Sequence, residues 1–313
     1  MRLITMNDRA DRTILAERSR PRIAIGLLRL GSVLMLAATA MAAGTPPVAE
    51  PLSLPAKQWA REAAENELKV IQYKGNFLRY RIHSTDAKGD QTRDMIETRD
   101  GTVARLIMKE GRPLTRDEDD AERSRLQAMI DSPATFAKHV KGDSAGKKMG
   151  ADMIRLMPDA MLFAYAPGQP QRSTRAANPD EPAEVVIDYK PDPAWTPPNM
   201  TADVLTGLQG RLWIDSRTHY LTRMEGNVFR AVNFGLGFFA HVYPGGRLTF
   251  EQVHATDQRW IFSHFVQHVT VRALLVKTFR EDAEMQGSNY VAVPEMSYQE
   301  AIKVLTATPL PTR

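Results

Sequence analysis

Two pairs of side chains in this sequence have the spacing of metal-binding or catalytic groups. His264-Phe-Val-Gln-His268 would set two imidazoles on one face of a helix, at metal-ligand spacing. The segment 259–272, however, alternates and is rich in Val, Phe and Thr, which predicts a strand. On a strand the two rings share a face but stand about 13 Å apart at ~3.3 Å per residue, too far to hold one ion. Asp215 and His219 flank a tight turn, and an Asp–His pair is one part of a hydrolytic triad. No serine in a Gly-x-Ser-x-Gly elbow is expected anywhere in the chain to complete such a triad, so Asp215 reads as a turn-stabilising acceptor. Gly235-Leu-Gly237 falls between strands and reads as a bend or bulge rather than a dinucleotide loop. No catalytic residue, metal ion or cofactor is expected.

The aromatic residues carry more. Phe229, Phe234, Phe238, Phe239, Tyr243, Phe250, Trp260, Phe262 and Phe265 fall within 37 residues of consecutive strand-like sequence. Alternation puts Phe234 with Phe238 on one face, and Trp260 with Phe262 on one face with Phe265 opposite. A sheet that points aromatics to both sides is packed on one and covered by helices or a ligand on the other. Met153, Met157 and Met161 supply adaptable thioethers for a facing wall.

The elements that must position these residues are readable in outline. Ala56–Ile71 is helical by spacing, with Trp59, Ala63, Leu68 and Ile71 recurring among charged residues. Three short strands follow, at 77–83, 92–98 and 103–109, separated by Lys88-Gly89-Asp90 and Asp100-Gly101. Thr115 with Glu118 fits a capping box that opens an acidic helix, and helical character continues in pieces to about Met157, with the glycine-containing stretch 141–148 expected as a loop. The acidic run Asp117–Glu122 reads as a solvated helix face. Strands are expected at 161–165, 184–189, 208–215, 219–230, 233–242, 247–254, 259–272 and 274–281. Short connectors of this kind join antiparallel neighbours. Ser297–Leu305 closes as a short helix.

Residues 1–42 read as a cleavable export signal: Arg18, Arg20 and Arg22 precede an apolar run that ends at Ala40-Met-Ala42. These residues hold seven of the 41 basic and three of the 37 acidic side chains, so the remainder carries 34 of each and the +4 net charge belongs to the signal. A neutral remainder lacks the basic stripe that nucleic acid requires, and nucleic acid is not an expected partner. The chain contains no cysteine, which removes disulfides, thiol chemistry and the lipoprotein anchor. A proline-rich linker spans 43–55.

Gly210-Arg-Leu-Trp-Ile-Asp215, Thr218-His-Tyr-Leu-Thr-Arg223 and Glu225-Gly226 resemble the hairpin of periplasmic lipoprotein-carrier-like proteins. That group includes the lipoprotein localisation carriers, the lipid-sensing anti-sigma regulator partners and outer-membrane lipoprotein-sorting proteins. The resemblance implies an α+β fold: a large curved antiparallel sheet, a half-open β-barrel, with helices covering or plugging its concave face. Residues 56–313 would then form one such domain with a helical insertion at about 115–160. It further implies a monomeric periplasmic carrier or chaperone for a lipid or acylated protein, in lipoprotein or lipid trafficking. The alternative is a lipid sensor acting on an envelope membrane protein, and the less favoured alternative a hydrolase on the same scaffold. The cavity candidates are Trp213, Phe234, Phe238, Phe250, Trp260, Phe262, Met153 and Met157.

Overall fold

A computed structural model describes residues 54–72, 75, 77–168, 171–172, 183–234, 240–256, 259–273 and 277–312. The expected signal, most of the linker and Phe238 lie outside the described residues. Helix α1 (Ala56–Gln72) leads into β1 (Phe77–Asp86), β2 (Gly89–Thr98), β3 (Gly101–Lys109) and a two-residue β4 (Arg112–Pro113). Helices α2 (Arg116–Asp131) and α3 (Pro133–Ala160) follow, then β5 (Met161–Tyr165), β6 (Gln171–Arg172) and β7 (Ala183–Pro191). A 3-10 helix, Met200–Gly207, precedes β8 (Leu208–Asp215), β9 (Leu221–Val228), β10 (Val232–Phe234), β11 (Ala240–Val242), β12 (Arg247–Thr256), β13 (Arg259–Ala273) and β14 (Lys277–Val293). Helix α4 (Tyr298–Ala307) ends the chain.

All fourteen strands belong to one antiparallel sheet, ordered β4-β3-β2-β1-β14-β13-β12-β9-β8-β7-β5, with β10, β11 and β6 beside this path. Strand β14 pairs with β1 and so welds the first meander to the last one. The tight hairpin between β1 and β2 depends on Gly89, whose φ of 92° is strained for any side chain. At Gly210 the reason for glycine is different: a Cβ there would stand 1.9 Å from the Glu225 carbonyl, so β8 and β9 could not approach. This accounts for the first glycine of the 210–226 hairpin.

The sheet is curled. Helix α1 touches β5, β8, β9 and β13, and β13 to β5 spans six adjacent strands. Laid flat those strands would extend about 24 Å at ~4.8 Å spacing, twice the ~10–12 Å width of a helix. The fold is therefore α+β, with an open curved antiparallel sheet whose two ends do not meet among the described residues.

Register assigns the faces. Met161, Val185, Ile187, Leu208, Leu212, Ile214 and Leu221 pack with Ala56, Trp59, Ala60 and Ala63 of α1 and Ala160 of α3 into one core. At the other end Ile96 and Val103 turn to the opposite face, where Leu126, Met129, Phe136, Ile302 and Leu305 form a second core. The helices thus cover both faces, each at one end of the sheet, rather than the concave face alone. Arg105, 1% exposed, fastens the second core by donating to the carbonyls of Leu305 and Thr308 (2.7 Å) and to Asp119 (2.7 Å). It thereby caps the electronegative end of α4.

Helix starts follow the sequence closely. Thr115 and Ser297 both make full capping boxes, with Glu118 and Glu300. The Arg112 guanidinium, 2.7 and 3.0 Å from Glu118, holds that carboxyl down at about 2. Four expectations fail. The acidic run Asp117–Glu122 is not a solvated face throughout, because Asp119 pairs with the buried Arg105 and Glu122, itself buried, accepts from the Leu106 backbone. Residues 141–148 are helical, because α3 is one helix anchored in a core at each end: Phe136 and Val140 in the second, Met153 and Met157 in the first. Cooperativity then carries the helix across Gly142, Gly146 and Gly150. Residues 233–242 are not one strand; β10 and β11 pair with each other. Strand β14 runs on to Val293, because β1 supplies a partner for its second half.

Candidate functional site

Between the two cores lies a cavity of about 820 Å³. Helix α1 walls it with Ala60, Ala63, Ala64, Glu67, Val70 and Ile71, which recur at helical spacing and so share a face. Helix α3 contributes Asp143, Gly146, Lys147, Gly150, Ile154 and Met157, again one face. The sheet supplies Tyr80, Met95, Leu212, Leu221, Met224, Phe250, Trp260, Phe262 and Met285. The glycines are what keep the α3 side open: a Cβ at Gly146 or Gly150 would meet nothing within 4 Å.

Of the residues expected to line a cavity, Phe250, Trp260, Phe262 and Met157 are brought together here. Met153 lies one turn earlier and packs against the first core. Trp213 faces away, on the opposite side of β8. There it sits in cross-strand register with Arg223 and beneath two guanidinium groups, Arg223 at 5.3 Å and Arg211 at 5.9 Å. It lines a separate depression of about 1050 Å³ with Asp188, Arg211 and Glu225. Within it Arg211 holds Asp188 at 2.5 Å, the adjacent Arg223 holds Glu225 and Glu251, and Lys190 and Arg247 add two further cations to the lining. Phe234 stands in β10 opposite Ala240, and Phe238 lies outside the described residues.

Phe265 departs from simple alternation. The pairs Glu251–His264 and Gln252–Phe262 skip Ser263, which is a β-bulge. Parity flips there, so Phe265 lies opposite Phe250 and Met285, on the same face as Phe262. Nothing in the sequence marks Ser263 as the bulged residue.

Three polar features of the wall were not singled out in the sequence. Glu67 is buried, and its Oε1 accepts from Gln252 Nε2 at 2.6 Å. Burial pushes its carboxyl up to about 7, against the lowering effect of the Gln252 and Leu221 hydrogen bonds. Arg259 makes a two-pronged ion pair with Glu97, at 2.5 and 2.7 Å. Tyr80 stacks on Tyr290 at 5.8 Å, and burial raises its hydroxyl's pKa. The signal that could have found Glu67 is an acid on the apolar face of α1, seven residues after Ala60 and four after Ala63.

His264 and His268 lie on strand β13, and each takes its own carboxylate from β14: Glu284 at 3.1 Å and Asp282 at 2.9 Å. Asp215 accepts from the backbone of Arg217 and Thr218 and from the Thr218 hydroxyl, which makes it a turn acceptor. His219 pairs instead with Glu62 of α1 and packs tilted against Trp59, ring centroids 4.3 Å apart. One Gly-x-Ser-x-Gly string does occur, Gly142-Asp-Ser-Ala-Gly146. It lies inside α3 and not on a strand-to-helix elbow, and Ser144 is solvent-exposed. Among the described residues no group of three or more His, Asp or Glu side chains is placed to hold a metal, and no helix is long and apolar enough to cross a membrane.

No protein-family model matches the chain, and no curated protein matches it. Among solved structures it is similar to a domain from Vibrio parahaemolyticus described as an outer membrane lipoprotein-sorting protein domain, at 10% identity and a TM-score of 0.30. The match covers 79% of this chain and 99% of that domain.

Proposed function

We propose that this protein is an exported, non-enzymatic carrier that shelters an acyl chain in the cavity between α1, α3 and the curved sheet. The cavity itself carries the reading: about 820 Å³, walled by aromatic, aliphatic and thioether side chains, inside the ~300–1,000 Å³ range of sites that bury a small ligand. Each methylene moved out of water contributes ~0.8 kcal/mol, so hydrocarbon burial alone supplies the affinity and no bond need be made or broken. The four methionines on its wall, Met95, Met157, Met224 and Met285, adapt to chains of different length. The export signal read in residues 1–42 places this activity in the periplasm, where an acylated protein or lipid requires shelter from water.

The test is native mass spectrometry of protein purified without detergent, together with titration of the neutral apolar dye Nile red. Co-purified lipid and saturable dye binding displaced by acyl compounds are expected. Protein that carries no lipid and leaves the dye's fluorescence unchanged would end the carrier reading.

A further inference from the structure

We infer that Glu67 is the polar recognition point of the cavity and that it selects an acyl chain joined through an uncharged ester or amide over a free fatty-acid anion. The inference rests on the carrier reading and names the ligand class of the same site.

Glu67 stands on the apolar face of α1, its residue only 7% exposed, in the wall of the chamber. Its hydrogen-bond partners are the Gln252 side chain, at 2.6 Å, and the backbone of Leu221. Gln252 spends its second N–H on the Leu221 carbonyl at 3.0 Å, so the amide is fixed and has no further hydrogen to give a ligand. No cation bears on Glu67 among the described residues: α1 opposes it with none, β9 offers backbone and β12 offers Gln252. The other charges of the wall are spoken for or exposed. Arg259 is held at both terminal nitrogens by Glu97, and Asp143 and Lys147 sit in solvent on α3.

The wall therefore carries two cations, Arg259 and Lys147, against three carboxyls, Glu67, Glu97 and Asp143. With Glu67 protonated the wall is balanced; with Glu67 ionised it is negative. Neither state offers an unengaged buried cation to a carboxylate headgroup, and burying an unpaired anion is costly. A protonated Glu67 retains one O–H to donate, and an ester or amide carbonyl is an uncharged acceptor that fits it. Burial already favours that protonated form, with a midpoint at about 7.

Competition against bound Nile red distinguishes the classes, using 1-monolauroylglycerol as the ester and laurate as the anion. At about pH 8.5 the ester should compete at least about tenfold better than laurate. Wild-type affinity for the ester should fall between about pH 6 and about pH 8.5, approaching tenfold per unit above the Glu67 midpoint, since the bound state keeps the proton. Glu67→Gln, which keeps a donor and removes the charge, should flatten that dependence, while laurate, which still meets no cation, stays the weaker competitor. Equal wild-type affinity for the two compounds at high pH, or a pH dependence that survives Glu67→Gln, would overturn the role of Glu67. The wild-type series needs no variant and decides the matter even where Glu67→Gln folds poorly. A dye that never binds, with no lipid in the mass spectrum, defeats the carrier reading and this inference with it; a dye that binds without ester selectivity defeats this inference alone.

Discussion

Replacing Gly150 of α3 with leucine should stabilise the protein and empty its cavity at the same time. Gly150 lies in a helix and lines the chamber, and a Cβ added there meets nothing within 4 Å. Two effects follow with opposite consequences. Removing a glycine from a helix interior stabilises it by about 0.8 kcal/mol. In a domain of this size that raises the melting temperature by roughly 2–3 °C. The isobutyl group meanwhile occupies space an acyl chain would fill, displacing about three methylenes of ligand at ~0.8 kcal/mol each. The resulting ~2.4 kcal/mol corresponds to a Kd for Nile red or an acyl ester weaker by roughly 50-fold. The assay pairs thermal denaturation with dye titration on the same sample, and Gly146→Ala serves as a helix-stabilising control with a small side chain. Loss of binding in a variant that melts higher cannot be ascribed to unfolding. A variant that melts higher and binds as the wild type does would show that ligand does not sit between α1 and α3, and would remove the basis for the carrier reading.

Glu67→Gln should change stability in a pH-dependent way. The folded protein holds the Glu67 proton to about 7 against an ordinary 4.5, so the stability that group contributes below about pH 4.5 is lost as pH rises toward 7 and stays constant above. Chemical denaturation should find the variant more stable than wild type above pH 7, by up to about 3 kcal/mol, with the difference vanishing near pH 4. Arg105→Ala should destabilise by about 1–3 kcal/mol, because the carbonyls of Leu305 and Thr308 lose their buried cationic donor while Asp119 keeps Arg123; an unchanged urea midpoint would contradict this. Trp260→Ala should weaken Nile red binding while Trp213→Ala leaves it unchanged, since the two indoles lie on opposite faces of the sheet; the reverse pattern would mean that the dye occupies the outer depression.

Local signals were legible wherever the determinant is local. The capping boxes at Thr115 and Ser297, the hairpin glycine at 89 and the alternating β8–β9 and β12–β13 sequences announce their elements without reference to the rest of the chain. Phe250, Trp260 and Phe262 could be proposed as cavity residues because apolar bulk in alternating strands must be covered by something, and Met157 as part of a thioether wall facing them. Trp213 could not be placed by the same argument. Its face is set by which side of β8 packs on α1, and pairing with Arg223 rather than with the core put it outside.

What the sequence by itself determined is the inventory: mostly antiparallel strands, helical segments at 56–71, after Thr115 and at 297–305, no cysteine, and a surplus of aromatic and thioether side chains needing cover. Tertiary structure decided where the cover lies and what it leaves open. Helix α3 persists through three glycines only because its two ends are held in two different cores, and its middle therefore bridges the gap that becomes the cavity. The bulge at Ser263 turns Phe265 inward because β12 and β14 fix the register on either side of it. Glu67 becomes a buried acid with a raised pKa only when α1 lies against Gln252, which is 185 residues away in the chain. Periodicity and capping act within a few residues and can be read in one dimension; burial and register are properties of distant segments meeting.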